Sequence, residues 1–356
     1  MDLPRVTYGI IVLNGEPFTR YCLRSLYPFA HEIIVVEGAV TAAASIATPD
    51  GHSTDGTLET LYDFKDQEDP ENKVEIVSRD GFWSEKDEQS QAYAERATGD
   101  YLWQVDIDEF YKSEDMTAIL GMLANDPTIT QVNVQWLNFW GGFNVLVDGL
   151  FLRRHYRDLG GGVPRLFKWD PGHRYVTHRP PTVRGRDGVD MRRGHCVRGE
   201  RLARTGTYCY HYATVFPELV ERKMTYYQEL GWDRLGNFND WYHDTFLQIR
   251  KPFRVHHVSS QISWLRPFRG AHPPQIEALL DDLSTGIWSI RQRQNDDVRA
   301  LMESRRYRMG VDLLELTATL LVGLRALSPG LARLFEASVE RLCSPRLTAA
   351  RSKAYG

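Results

Sequence analysis

The sequence predicts an α/β protein, with a Rossmann-like, mainly parallel sheet covered by helices on both faces and a helical C-terminal subdomain. Three observations predict it. Over the first 140 residues, short β-rich runs alternate with stretches of helical periodicity. Crossovers of that length are right-handed and join parallel strands. After Pro267 the strand signals stop and apolar residues recur at helical spacing.

Taken in order, Val6 to Leu13 is a β-rich run, and Pro17 suits a first helical turn, with Phe18, Tyr21, Cys22, Ser25, Leu26 and Phe29 at helical spacing. Glu32 to Val36 reads as a buried strand. An Ala/Thr-rich excursion, Ala39 to Ser53, leads to Ser53-Thr54-Asp55-Gly56-Thr57, a turn and helix start. Lys73 to Ser78 is a third strand, and Glu85 to Ala97 is a polar helix stopped by Gly99. Tyr101 to Val105 is a fourth strand that runs directly into Asp106-Ile107-Asp108-Glu109. Ser113 can cap the helix that follows, and Gln131 to Phe139 alternates as one further strand.

From Gly141 to Arg204 the pattern breaks into Gly, Pro and Arg with short β segments at 164–169 and 173–178. Thr207 to Tyr212 is a strand before a helix opened by Pro217. Ile276, Leu279, Leu280 and Leu283 form one face of a helix, and Asn295 to Tyr307, Val311 to Leu327 and Leu331 to Leu342 continue the helical region. The expected division is therefore 1–265 and 266–356.

The 356 residues are 42% hydrophobic and 25% charged, which excludes a disordered or fibrous chain. A net charge of -4 provides no global field toward nucleic acid or an anionic membrane, so any phosphate site is local. Cys22, Cys196, Cys209 and Cys343 are scattered without a CxxC pair, which fits reduced thiols and a cytoplasmic location. The N-terminus reads as a first strand rather than a signal peptide, and no run is long and uncharged enough to span a membrane. The nearest, Val311 to Leu327, carries Asp312, Glu315 and Arg325. Ordinary core, peripheral membrane contact and dimerisation are all open to it and the helices around it. One number stands out: nine Trp, seventeen Tyr and fifteen Phe make 12% of the chain aromatic.

Asp106 and Asp108 stand two apart at the end of an apolar strand, where period-two geometry points both carboxylates to one side. Ligands of parallel sheets bind beyond the carboxyl ends of the strands, where Glu37 also falls. Two carboxylates on one face are half a site for Mg²⁺ or a similar cation, which substrate phosphates and water complete. A solvated acidic turn is the plainer alternative.

At this point the chain resembles a family. VTYGIIVLNGE, the helix with Cys22-Leu23-Arg24-Ser25-Leu26, EIIVVEG, STDGT and ATGDYLWQVDIDEF resemble, in order, the landmarks of family 2 glycosyltransferases of the GT-A fold. The resemblance covers Val6 to Tyr111 and continues, thinner, to about Gln228. It implies a nucleotide-sugar-binding catalytic domain over 1–265 and transfer from a UDP- or other nucleotide-linked donor to an acceptor it does not identify, with inversion. Asn14 and Glu16 would lie beside the nucleotide. Glu37 would replace the family's usual Asp on base or ribose, with Asp55 as a second nucleotide-side acid unless it simply caps a helix. Asp106 and Asp108 match the DxD that holds Mn²⁺ or Mg²⁺ against the donor diphosphate, and His211 matches a third metal ligand. Lys86 and Arg165 would meet phosphate.

The family's inverting chemistry needs a carboxylate base, and in close relatives a strand like HRYVTH ends in His-Glu. Here it runs into Arg179, which leaves Asp170, Asp158, Asp187 and Asp190 as substitutes, with Asp170 as the candidate base. His173, His178, His195 and Cys196 match no zinc spacing. The aromatic excess concentrates at Trp136, Phe139, Trp140 and Phe143 and at Tyr226, Tyr227, Trp232, Phe238, Trp241 and Tyr242. Trp140 and Trp241 are thus expected on an acceptor-side wall. Two rivals stand beside this reading. A sugar-phosphate nucleotidyltransferase would open with a Gly-rich basic loop where this chain has Asn14-Gly15-Glu16. A catalytically silent sugar-binding protein of the same fold would account for the missing carboxylate.

Overall fold

The computed structural model describes residues 3–231, 238–257 and 261–342; Trp232 and Cys343 lie outside them. In chain order the elements are β1 (Val6–Val12), α1 (Thr19–Leu26), β2 (Glu32–Glu37), α2 (Thr57–Glu68), β3 (Val74–Val77), α3 (Lys86–Ala94) and β4 (Tyr101–Gln104). There follow β5 (Glu109–Phe110), α4 (Ser113–Asn125), β6 (Ile129–Val134), β7 (Trp136–Trp140), β8 (Val145–Gly149), α5 (Leu150–Asp158) and β9 (Val163–Lys168). Next come β10 (Arg174–Thr177), β11 (Thr182–Arg184), β12 (His195–Val197), α6 (Gly199–Ala203), β13 (Cys209–Thr214), α7 (Pro217–Glu229) and α8 (Phe238–Trp241). The chain closes with β14 (Ser263–Pro267), α9 (Pro274–Ser284), α10 (Asp296–Glu303), α11 (Arg305–Leu327) and α12 (Pro329–Leu342).

The main sheet has the order β12-β6-β9-β4-β1-β2-β3. β4, β1, β2 and β3 are parallel, as the strand–helix alternation predicts, and β9 enters antiparallel between β4 and β6. Period two sorts its side chains. Val6, Tyr8, Ile10, Ile33, Val35 and Trp103 join one apolar cluster with Tyr21, Leu23 and Leu26 of α1. Ile34, Val36, Leu102 and Phe167 join another, with Ala92 and Tyr93 of α3. Each strand is thus apolar on both faces because each face is covered by helix. Gly9 marks a close approach: a Cβ there would sit 2.4 Å from the Tyr93 ring, so only glycine lets α3 lie against β1.

A second, five-stranded sheet has the order β14-β8-β7-β13-β5. Here the structure corrects the reading of Gln131 to Phe139 as one strand. The run divides at Gln135: β6 stays in the main sheet and β7 enters the second one, parallel to β13. The apolar residues of the run therefore serve two layers, and burial alternates in neither half. Ser113 is a second correction, since it opens α4 without a side-chain cap. At the C-terminal end, the helical periodicities at 295–307 and 311–327 regroup around Ser304, whose extended backbone ends α10 and starts α11.

α9 packs on α1. Its Ile276 and Leu279 belong to the first apolar cluster, Asp282 accepts a hydrogen bond from the Tyr21 hydroxyl, and Trp288 Nε1 donates to Tyr21 at 3.0 Å. α11 builds a smaller third cluster in which Tyr307, Leu314, Ala318 and Leu321 meet Leu150, Ile262 and Trp264. Among the described residues no helix is long and apolar enough to cross a membrane.

Candidate functional site

A cavity of about 570 Å³ opens beyond the carboxyl ends of β1, β2 and β4, roofed by the second sheet and α7. Leu13 and Asn14 after β1, Gly38 after β2, Asp106 to Asp108 after β4, Asn138 to Trp140 of β7 and His211 of β13 all line it. The strand-end rule thus locates the cleft.

Asp106 and Asp108 are the carboxylates that line it among the described residues. Arg165 of β9, almost wholly buried, donates from Nη2 to Asp106 Oδ2 at 3.1 Å and to Glu109 Oε1, and its guanidinium lies 5.1 Å from the Trp136 ring centre. One cation faces two carboxylates here, and burial decides between them. Glu109 is fully buried, and loss of solvent pushes its acid up to about 8 against the pull of Arg165. Burial also works to raise the Asp106 acid. Arg165, with His178, Arg179 and Lys86, overcomes it and holds Asp106 well below the usual carboxylate range. Asp106 is therefore the ionised partner at the cleft, and Glu109 the reserve behind it.

His211 stands across from Asp108, with Nε2 3.7 Å from Oδ1. Its other nitrogen, Nδ1, is 2.8 Å from Asn138 Oδ1, while Asn138 Nδ2 donates to the Tyr156 hydroxyl at 2.8 Å. The amide is thus oriented as an acceptor toward the imidazole, which fixes the proton on Nδ1 and leaves the Nε2 lone pair aimed at Asp108. Burial lowers the imidazole pKa to about 4, so it is neutral at pH 7. A neutral nitrogen beside an oxygen ligand of Asp108 suits a divalent cation of Mn²⁺ type. Asp106, already held by Arg165, does not close this pair into a three-ligand cluster. Among the described residues, that geometry occurs only at Asp50, His52 and Asp80, whose ligand atoms lie within 4.8 Å of one another.

The opposite wall is cationic. Among the described residues, Lys86, Arg179 and Lys223 line the cleft without a carboxylate in salt-bridge range, and Arg222 beside them pairs with Asp55 at 3.4 Å. Lys86 lies 4.9 Å from the Tyr226 ring centre; burial, then repulsion from Arg179 and Lys223, lowers its pKa to about 7. Arg179 donates to the Tyr227 hydroxyl at 3.4 Å. Sequence reasoning found Lys86 but not Arg179 or Lys223 as binding groups. Arg179 is visible in the sequence only as the residue displacing an expected carboxylate, and no pattern singles out Lys223, which lies on α7.

Other sequence-predicted residues are placed differently. The Glu37 carboxylate is fully buried and faces away from the cleft. Oε1 accepts from Ser53 N and Oγ, both at 2.8 Å, and Oε2 meets His52 Nδ1 at 2.9 Å and Ser78 Oγ at 3.1 Å. Asp55 accepts from Thr57 N and Oγ1 at the start of α2 and from Glu16 N at 3.1 Å, so it serves as a helix-start acid. Asn14, with φ of 56°, reaches the cleft, but its side chain binds Ile46 O and Thr54 N. Glu16 is buried behind the cleft, and desolvation pushes its acid up to about 6. Asp170 lies outside the cleft, ion-paired with the exposed Arg186 at 2.9 Å.

Trp140 and Trp241 do line the cleft, yet each is almost fully buried and both donate Nε1–H to the same carbonyl, Val255 O, at 3.1 Å. Their polar edges are used internally and cannot hydrogen-bond a ligand. Much of the aromatic excess is packing of this kind, as in the Phe139 and Tyr212 stack at 4.4 Å.

No family model matches the chain, and no curated protein matches it. Solved structures similar to it include S. aureus TarS 1-349 in complex with UDP-GlcNAc, at 12% identity over 70% of this chain and 73% of that one, with TM-score 0.38. The mannosyltransferase PcManGT from Pyrobaculum calidifontis, in complex with GDP-Man and Mn²⁺, is similar at 17% identity over 96% of this chain and 88% of that one, with TM-score 0.41. Glucosyl-3-phosphoglycerate synthase from Mycobacterium tuberculosis, in complex with Mn²⁺ and UDP-Glc, is similar at 16% identity over 46% and 56%, with TM-score 0.31. Likenesses this distant carry no argument about function by themselves.

Proposed function

We propose that this chain is a divalent-metal-dependent glycosyltransferase of GT-A type that moves a sugar from a nucleotide-sugar donor, UDP-linked by preference, to an acceptor hydroxyl with inversion. One observation carries the proposal: at the carboxyl edge of the sheet, Asp106, Asp108 and a lone-pair-bearing His211 face three cations that have no carboxylate in salt-bridge range among the described residues. Cations that line a concave site without an ion-paired carboxylate favour a polyanion, and a metal-ligand pair opposite them suits a diphosphate. Asp108 and His211 would hold the metal, whose chemistry is to stabilise the negative charge that builds on the departing diphosphate. Arg165 keeps Asp106 ionised and in place, and Lys86, Arg179 and Lys223 bind and orient the phosphates. Asp170, outside the cleft, is not retained as the base.

That vacancy favours a second reading, a silent nucleotide-sugar-binding protein, because Arg179 stands where a carboxylate base is expected. A thermal-shift screen against UDP-, GDP-, TDP- and CMP-sugars, with and without Mn²⁺, tests the binding they share, since a ligand of the native state raises its melting temperature. The expected result is a Mn²⁺-dependent rise with one nucleotide class. No shift with any of them sinks both readings. Release of free nucleotide on incubation with donor then separates the transferase from the silent binder.

A further inference from the structure

α11 has two apolar faces, and among the described residues only one of them is covered. Leu314, Ala318 and Leu321 enter the third apolar cluster. On the other side Met309, Leu313, Leu316, Leu320 and Leu327 are each more than half exposed. At 100° per residue these five fall within about 60° of one another, a continuous stripe along the helix. α12 repeats the pattern, with Leu331 and Leu334 more than half exposed. Soluble surfaces rarely leave so many large apolar side chains contiguous and uncovered.

Charge indicates what covers them. Arg305, Arg306 and Arg308 at the head of α11 are exposed and have no acidic partner among the described residues. The same angular count puts Arg305 and Arg306 on either side of the stripe. From residue 304 onward the sequence has nine basic against four acidic side chains, while the residues before it have thirty-four against forty-three. A second copy fits this poorly. A parallel pair would set the arginine clusters against each other, and an antiparallel pair would bring them toward Arg325. An anionic surface with an apolar interior fits both features at once.

We infer that the α11–α12 face docks on an anionic lipid bilayer, lying in the interface with the leucine stripe in the acyl boundary and Arg305, Arg306 and Arg308 among the headgroups. The surface is independent of the metal and phosphate groups of the cleft. α11 packs on Leu150, at the start of the helix α5, whose Leu152 and His155 line the cleft, so docking holds the cleft at a fixed relation to the membrane.

Flotation of the full chain with phosphatidylcholine vesicles, with and without phosphatidylglycerol, tests this. The chain is expected to float with the anionic vesicles and to stay behind with the neutral ones. Arg305→Ala/Arg306→Ala/Arg308→Ala should weaken anionic binding by about fivefold per arginine, on the order of a hundredfold together. Leu313→Asp/Leu320→Asp should lower it at least about tenfold. Both sets of positions are exposed, and an unchanged melting temperature confirms that the variants fold. Absence of flotation, equal flotation with neutral vesicles, or a dimer in light scattering that Leu313→Asp dissociates would each overturn the inference.

Discussion

The ends of β2 and β4 lie on the same edge of one sheet and both carry carboxylates, yet the two are in opposite states. Glu37 is saturated: two hydrogen bonds from Ser53 and one each with His52 and Ser78 leave it nothing to offer a ligand. Among the described residues the Asp108 carboxylate has only His211 in ion-pair range, across 3.7 Å, and it opens to the cleft. The strand-end rule gives both acids the same opportunity. What separates them is the chain that returns to each: the 39–53 excursion folds back onto Glu37, whereas the return to Asp108 is a ladder strand with one imidazole.

The sharpest way to break that comparison is Asp108→Asn. Mn²⁺-dependent nucleotide affinity should fall on the order of a hundredfold or more while the urea midpoint stays unchanged; calorimetry showing undiminished affinity returns Asp108 to the solvated acids. Glu37→Ala should do the reverse. It orphans the buried donors of Ser53 and the half-buried Ser78 hydroxyl and should cost about 3 kcal/mol in urea unfolding, with nucleotide affinity of the folded protein little altered. A variant of normal stability and lost affinity would transfer Glu37 to the binding site.

The cationic wall predicts a smaller, pH-dependent effect. Lys86 titrates near 7 in the free protein, and a bound polyanion favours its charged form. Binding above pH 7 therefore takes up a proton, and affinity falls by up to about tenfold per pH unit. Calorimetry at pH 8 in two buffers of different ionisation heat should detect that proton, and Lys86→Met should abolish it. Least of all, Glu109 should tilt the pH dependence of stability. Its acid is raised from 4.5 to about 8, so its contribution is complete below pH 4.5 and is lost as pH rises through 8. Unfolding curves for Glu109→Gln should show a flatter decline across that window; an unchanged slope would mean that Glu109 stays ionised with Arg165.

The parallel half of the fold was legible because each strand declares itself locally, by period two and by the helix that follows. The insertion of β9 between β4 and β6 was not, since it joins Leu102 to Phe167 across 65 residues, and no local period says which distant strand a segment will pair with. The same holds for the site. Asp106 and Asp108 announce themselves as neighbours at a strand end, but their most consequential partner, Arg165, arrives with β9. Arg179 and Lys223 come from an irregular segment and a helix, where a charge ordinarily means solvent. The Trp residues misled for a different reason: composition records ring area but not whether an indole N–H is already committed to a carbonyl.

The pairing of β13 has a consequence for what the cleft can select. His211 is in register with Glu109 on one side and Asn138 on the other, so the imidazole is carried by main-chain ladders rather than by a loop. On the proposed function, Asp108 and His211 would form a chelate whose bite is set by the backbone hydrogen bond from Tyr212 N to Asp108 O, at 2.9 Å, beside the ladder that carries His211. A rigid bite sorts guests by radius, because a poorly fitting ion cannot draw the two donors together or push them apart without breaking sheet hydrogen bonds.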